Sequence, residues 1–201
     1  MQTVPARTRQ ETVDVFLDAA ERLLVSSGAA AVTTRRLAAE AGLNHGLVHY
    51  YFGSIEEVEL QVLERFTARL VERQRAMYAA DVPFLEKWRT AMRYLDEDLE
   101  AGYPKVLAEL WSLAWNRPAV RERIAETWTA WRAVLTDAFD AAIDEYGLDR
   151  ERYPVKAIVT LVLTFNDGLL IERLAGIDEG HRELLDWIDN WLQELEHGRG
   201  K

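Results

Sequence analysis

Apolar residues recur along this chain with a period of about 3.6, and no stretch alternates apolar with polar residues long enough to build a strand. Thr8-Arg9-Gln10-Glu11 has the form of a capping box, in which a hydroxyl and a carboxylate exchange hydrogen bonds with the backbone of a first turn. It precedes Val13, Phe16, Leu17, Ala20 and Leu24, and Gly28 follows as a stop. Thr33 or Thr34 is placed to cap a short second helix that Gly42 ends, and Asn44 to cap a third that runs to about Tyr51. Ser54 and Glu57 repeat the box and open a long helix reaching about Ala80, before Pro83. Further apolar stripes predict helices over 83–101, 104–116, 118–146, 154–175 and 180–197. The expectation is an all-α chain of about nine helices, with no internal repeat.

The stretch 33–52, TTRRLAAEAGLNHGLVHYYF, carries the strongest functional signal. Ala38 is small enough to let two helices approach, Gly42 supplies a turn with positive φ, and Val48 packs the second helix on the first together with Leu37 and Phe52. That is the spacing of a helix-turn-helix, although it also suits an αα-hairpin with no role in nucleic-acid binding.

With its surroundings the stretch resembles the TetR family of bacterial transcription regulators. The resemblance covers residues 8–68: a leading helix ended by Gly28, the TTRRLAAEAG segment, and LVHYYFGS running into a long helix. Beyond residue 68 it is limited to length, helical content and the Asp167-Gly168-Leu169 turn of a late apolar helix. It implies an N-terminal three-helix helix-turn-helix DNA-binding domain over 8–68. A helical ligand-binding and dimerisation domain is implied over 69–201.

The resemblance also places residues. It puts Thr34, beside Thr33, where the family caps its second helix and touches a phosphate, and Arg35 where a basic side chain reaches phosphate or a base edge. Asn44, His45, Gly46 and Leu47 form the exposed start of the recognition helix, the part that reads base edges in the major groove. His49, Tyr50 and Tyr51 fall on the family's aromatic, phosphate-binding cluster. Two positions depart from the pattern: His49 stands where Tyr is common and Ile55 where Lys is common. The missing lysine shifts phosphate binding onto Arg7, Arg9, Arg35 and Arg36 or weakens it. His45 and His49 are four apart on one helix, but no third ligand lies near, so no metal site is expected.

A net charge of −10 argues against nucleic acid until its distribution is considered. Residues 1–55 hold five basic and five acidic side chains, so the entire acidic excess lies in the remainder. The absence of cysteine excludes a disulfide scaffold, a thiolate metal site and a cysteine nucleophile. The start of the chain lacks a signal-peptide pattern and no apolar run is long enough for a bilayer, so a cytoplasmic protein without membrane contact is expected.

All seven tryptophans lie at or after position 88. Trp88 and Met92, Trp111 and Trp115, and Trp128 and Trp131 are paired at helical spacing, and with Phe165 and Asn166 they are candidates to line a pocket for a small apolar effector. The plainer reading is an aromatic core. The helix over 154–175 is apolar nearly all round, and the last carries a wide stripe. Burying both needs a second copy, with Phe165, Leu169, Leu184, Ile188, Trp191, Leu192 and Leu195 at a homodimer interface. Such a dimer sets two recognition helices about 34–36 Å apart on a palindromic operator.

Together these features point to a DNA-binding transcriptional regulator, a repressor released by its ligand. The competing classes are a helical ligand-binding or adaptor protein without operator binding, and an all-α enzyme. No paired carboxylates, phosphate loop, nucleophile motif or cofactor signature supports the enzyme. Effector identity, operator sequence, target genes and the choice between repression and activation are not encoded in any motif.

Overall fold

The computed structural model describes residues 8–198, so Arg7 and the N-terminal segment read above lie outside the described residues. Nine α-helices follow one another among these residues: α1 (Arg9–Ser27), α2 (Thr34–Ala41), α3 (Gly46–Phe52), α4 (Ile55–Tyr78), α5 (Phe84–Glu100), α6 (Tyr103–Ala114), α7 (Pro118–Tyr146), α8 (Val155–Leu174) and α9 (His181–Gly198). A single 3-10 turn, Ala29–Ala31, links α1 to α2. None of the described helices is long and apolar enough to cross a membrane.

Local chemistry fixes most ends. The box at α1 is complete: Glu11 N–H donates to Thr8 Oγ1 at 3.2 Å, and Thr8 N–H donates to Glu11 Oε2 at 2.7 Å. At α4 only half forms. Glu57 N–H donates to Ser54 Oγ at 3.1 Å, but the Glu57 carboxylate turns to Arg123 and accepts from Gln61. An arginine charge outbids a backbone N–H for that carboxylate.

The chain divides into two compact units: residues up to Phe66 with 105–123, and 67–104 with the residues from 124 onward. In the first, Phe16, Leu37, Val48 and Val58 are fully buried, and Phe52 meets Phe16 edge-on with ring centres 5.9 Å apart. Burying a side chain of this size contributes about 1.5–3 kcal/mol, so this cluster holds α1 to α3 together. Residues 105–123 supply Val106, Leu110 and Val120, all buried.

In the second unit, Phe84, Leu85 and Trp88 of α5 pack with Leu135 and Phe139 of α7, Val159 and Leu163 of α8 and Leu192 of α9. A smaller cluster joins Leu95 to Leu169 and Leu170. Arg89 clamps Asp189 with two bonds of 2.7 and 2.8 Å, tying α5 to α9. The buried His181 meets Glu172 at 2.6 Å.

One expectation about the last helices needs correction. Leu169 and Leu192 are core residues of the single chain, because α8 and α9 turn these side chains onto α5 and its neighbours. The single chain leaves other apolar residues of these helices uncovered: Leu161 and Ile171 stand exposed, as do Ile177, Leu184, Trp187 and Trp191 on or before α9. Phe165, Ile188 and Leu195 are half-buried against the core.

Candidate DNA-binding face and inner cavity

Gly42 ends α2 in the left-handed conformation, φ 66° and ψ 32°, and its N–H donates to the carbonyls of Ala38 and Ala39. Leu43 N–H closes the turn on Ala38 O at 2.9 Å. Four residues, 42–45, join α2 to α3, and Leu37 and Ala38 of α2 and Val48 of α3 are all buried.

At one cap the structure takes one of the two residues the sequence offered, and at the other it differs from the sequence reading. Thr33, rather than Thr34, caps α2, its hydroxyl accepting from Arg36 N–H, so Thr34 becomes the first helical residue. His45 is the residue at the N-terminal boundary of α3 and makes no side-chain cap bond. Asn44, one residue earlier, reaches forward instead: its Oδ1 accepts from Gly46 N–H at 2.8 Å. A Cβ on Gly46 would sit 3.3 Å from that oxygen, so glycine gives the amide its room.

With Leu37 and Val48 inside, the opposite faces of α2 and α3 are set outward. Thr33, Arg35, Asn44, His45, Gly46, His49 and Tyr50 are exposed, while Thr34, Leu47 and Tyr51 are partly so. Tyr50 is 71% exposed and meets the Tyr51 ring edge-on at 4.9 Å. The guanidinium of Arg9 lies over the Tyr51 ring at 5.7 Å, a contact the sequence did not announce. Ile55, at the family's lysine position, is half-buried.

Nearby carboxylates are neutralised in place. Glu40 pairs with Arg22 at 2.8 Å, Glu56 with Arg117, and Glu57 with Arg123, while Arg65 takes Asp18 and Glu21. Among the described residues Arg35 has no ion pair, and the Arg36 guanidinium donates to Ser27 Oγ at 3.1 Å. The face therefore carries the Arg35 charge beside aromatic side chains, with the carboxylates of Glu40, Glu56 and Glu57 held by other arginines, although the chain as a whole is acidic. Deeper in this unit Glu59 is only 6% exposed; burial, reinforced by Glu109, raises its carboxyl to about 7.

The second unit holds a cavity of about 20 Å³, room for about one water molecule. Trp88, Met92, Trp131 and Asn166 line it as expected residues, joined by Gln74, Tyr78 and Asp98. Phe165 stacks on Trp88 at 6.5 Å but lies off the wall, as does Trp128, tilted on Trp131 at 6.5 Å. Trp111 and Trp115 are no part of it. They belong to the first unit and are 43% and 85% exposed, because α6 turns Val106, Leu107 and Leu110 inward and leaves the tryptophan edge to solvent.

Three buried polar atoms of the cavity residues lack hydrogen-bond partners: Gln74 Oε1, Trp131 Nε1 and Asn166 Oδ1. Asp98 accepts from Arg73 at 2.6 Å, yet burial outweighs the arginine and raises its carboxyl to about 6. Burial does the same to Asp167. Tyr78, whose phenol burial pushes up, also borders a wider groove of about 280 Å³ flanked by Arg75, Lys87 and Glu145. The sequence did carry a sign of Gln74 and Asp98. Both fall on the apolar stripes of their helices, Gln74 in step with Leu70, Val71 and Met77, and Asp98 with Leu95 and Ala91.

A family model described as bacterial regulatory proteins, tetR family, matches residues 16–62. The fold is similar to that of the transcriptional regulator FadR from Bacillus subtilis, solved with stearoyl-CoA (16% identity, 90% of this chain and 96% of that one, TM-score 0.71). It is also similar to a putative transcriptional regulator from Saccharomonospora viridis solved with choline (20% identity, 92% and 95%, TM-score 0.68). A TetR transcription regulator from Haloarcula marismortui gives 21% identity over 92% and 96%, with a TM-score of 0.72. No curated protein matches the sequence.

Proposed function

We propose, from the premise that this chain is a TetR-family transcription regulator by its residues 16–62, that it is a ligand-released repressor acting as a homodimer on a palindromic operator. The observation that carries the reading is the outward face of α3: His45, His49 and Tyr50 are exposed and free to meet DNA, while Val48 on the same short helix is fully buried and fixes its orientation. A helix held so can lie in the major groove with its first turn on base edges. Arg35, Tyr50 and the arginine-braced Tyr51 are placed for phosphates on either side.

A second copy accounts for the apolar surface of α8 and α9, where Leu161, Trp187 and Trp191 face solvent in the single chain. The cavity of the second unit is the effector site of this reading. Its support is the set of partnerless polar atoms on an aromatic wall, together with the small molecules carried by two proteins of similar fold. The continuous helix α4, which gives residues to both units, is the covalent path by which the ligand shifts the population of DNA-binding states.

The test is fluorescence anisotropy of the purified protein with DNA from immediately upstream of its own gene and with a shuffled duplex of equal length. Saturable, sequence-selective binding supports the proposal. Equal affinity for both duplexes refutes it.

A further inference from the structure

We infer that the cavity of the second unit takes a protonated amine on an apolar body, the ammonium held by Gln74 Oε1 and Asn166 Oδ1 and one acceptor of the ligand held by the Trp131 indole N–H. The inference rests on the effector reading above and names the chemistry of its ligand.

The polar atoms are the first argument. Gln74 is 6% exposed, and its carbonyl oxygen and that of Asn166 are acceptors without donors. An unsatisfied buried acceptor is unfavourable, and a ligand that supplies N–H groups removes that cost. An ammonium group has donors for both. A carboxylate or phosphate has none and would face two further lone pairs. The indole N–H is the complementary case, and a hydroxyl or carbonyl oxygen beside the amine satisfies it.

Charge is the second argument. The wall contains Asp98 and no lysine or arginine. Arg73 is shared between Asp98 at 2.6 Å and Glu97 at 3.3 Å, so that cluster retains one negative charge. Asp167 follows Asn166 on α8, and burial raises its carboxyl to about 6. The aromatic faces of Trp88, Trp131 and Tyr78 complete a surface on which a cation is favoured over a neutral isostere.

Size is the third. The cavity holds about 20 Å³ as it stands, and the unbranched Met92 is the wall residue that yields most readily. Tyr78 lines both the cavity and the groove of about 280 Å³, so movement of this one ring is what a ligand larger than the cavity requires.

The experiment titrates the full chain with phenethylamine, phenylethanolamine, phenethyl alcohol and phenylacetate, read by calorimetry and by tryptophan fluorescence. Phenethylamine is expected to bind at least about tenfold tighter than the alcohol, phenylethanolamine tighter still, and phenylacetate weakest. Asn166→Leu and Gln74→Leu remove an orphaned acceptor while keeping volume, so both should fold and should bring the amines down to the level of the alcohol. Equal binding of amine and alcohol, tightest binding of phenylacetate, no binding by any of the four, or an amine preference that survives both substitutions would each overturn the inference. The effector reading fails separately. If phenethyl alcohol or another neutral compound releases operator DNA while the amines do not, that reading stands and only the amine is lost. If amines bind without changing DNA affinity, the cavity chemistry stands and the reading loses its sensing step.

Discussion

The imidazole of His49 is held by the carbonyl oxygen of Gly53, 3.0 Å from Nδ1, across the end of α3. A carbonyl only accepts, so Nδ1 carries the proton and the ring is fixed with Nε2 turned away from the bond. Gly53 itself has φ 76°, a conformation that a side chain would strain. His49 thus closes the C-terminal end of α3 through its own side chain.

Tyr50→Ala and His45→Ala are each expected to weaken operator binding by about 1–3 kcal/mol without unfolding the chain, since both side chains are exposed. Circular dichroism checks the fold and anisotropy the affinity. Undiminished binding in both variants would remove DNA contact from the face of α3.

Gly42→Ala isolates a backbone effect. A Cβ there meets nothing within 4 Å, so the substitution introduces no clash and leaves only the cost of φ 66° for an L-residue. A loss of about 1 kcal/mol is expected in urea unfolding. An unchanged midpoint would mean the turn relaxes to another conformation.

Glu59 links stability to pH. Its carboxyl is raised from the ordinary 4.5 to about 7, so the folded state holds the proton more tightly than the unfolded chain. Stability from this group therefore falls as pH rises from 4.5 to about 7, and the full penalty is present above that range. Glu59→Gln should be more stable than the parent by about 2–3 kcal/mol at mildly alkaline pH, with the gap closing in acid. Parallel urea curves at the two conditions decide it, and a gap independent of pH would be the contrary result.

For assembly, Leu161→Asp combined with Trp187→Asp places charges on side chains that are 69% and 67% exposed in the single chain. Folded monomers are the expected species in sedimentation. Leu192→Asp buries a charge in the core of the second unit and should unfold it instead. A double variant that still sediments as a stable dimer would move the interface elsewhere.

What the sequence alone determined is what neighbouring residues decide among themselves. The Thr8–Glu11 box, the left-handed Gly42 between Ala38 and Val48, and the start of α7 at Pro118 were all legible, because a capping bond or a fixed φ involves residues a few positions apart. Even here competition within a few residues moved the caps: Thr33 won over Thr34, and Asn44 acted from one position outside its helix. Helical period likewise told which positions could be inside, but not against what. Trp111 and Trp131 occupy equivalent-looking apolar settings in the sequence, yet one is exposed in the first unit and the other lines the cavity of the second. Gln74, Asp98, Trp131 and Asn166 come from α4, α5, α7 and α8, and no pattern within one helix registers their convergence. Tertiary packing alone decided that, because burial is a sum over all the helices that close around a side chain, and the cost of an unpaired polar atom is felt only once they have closed.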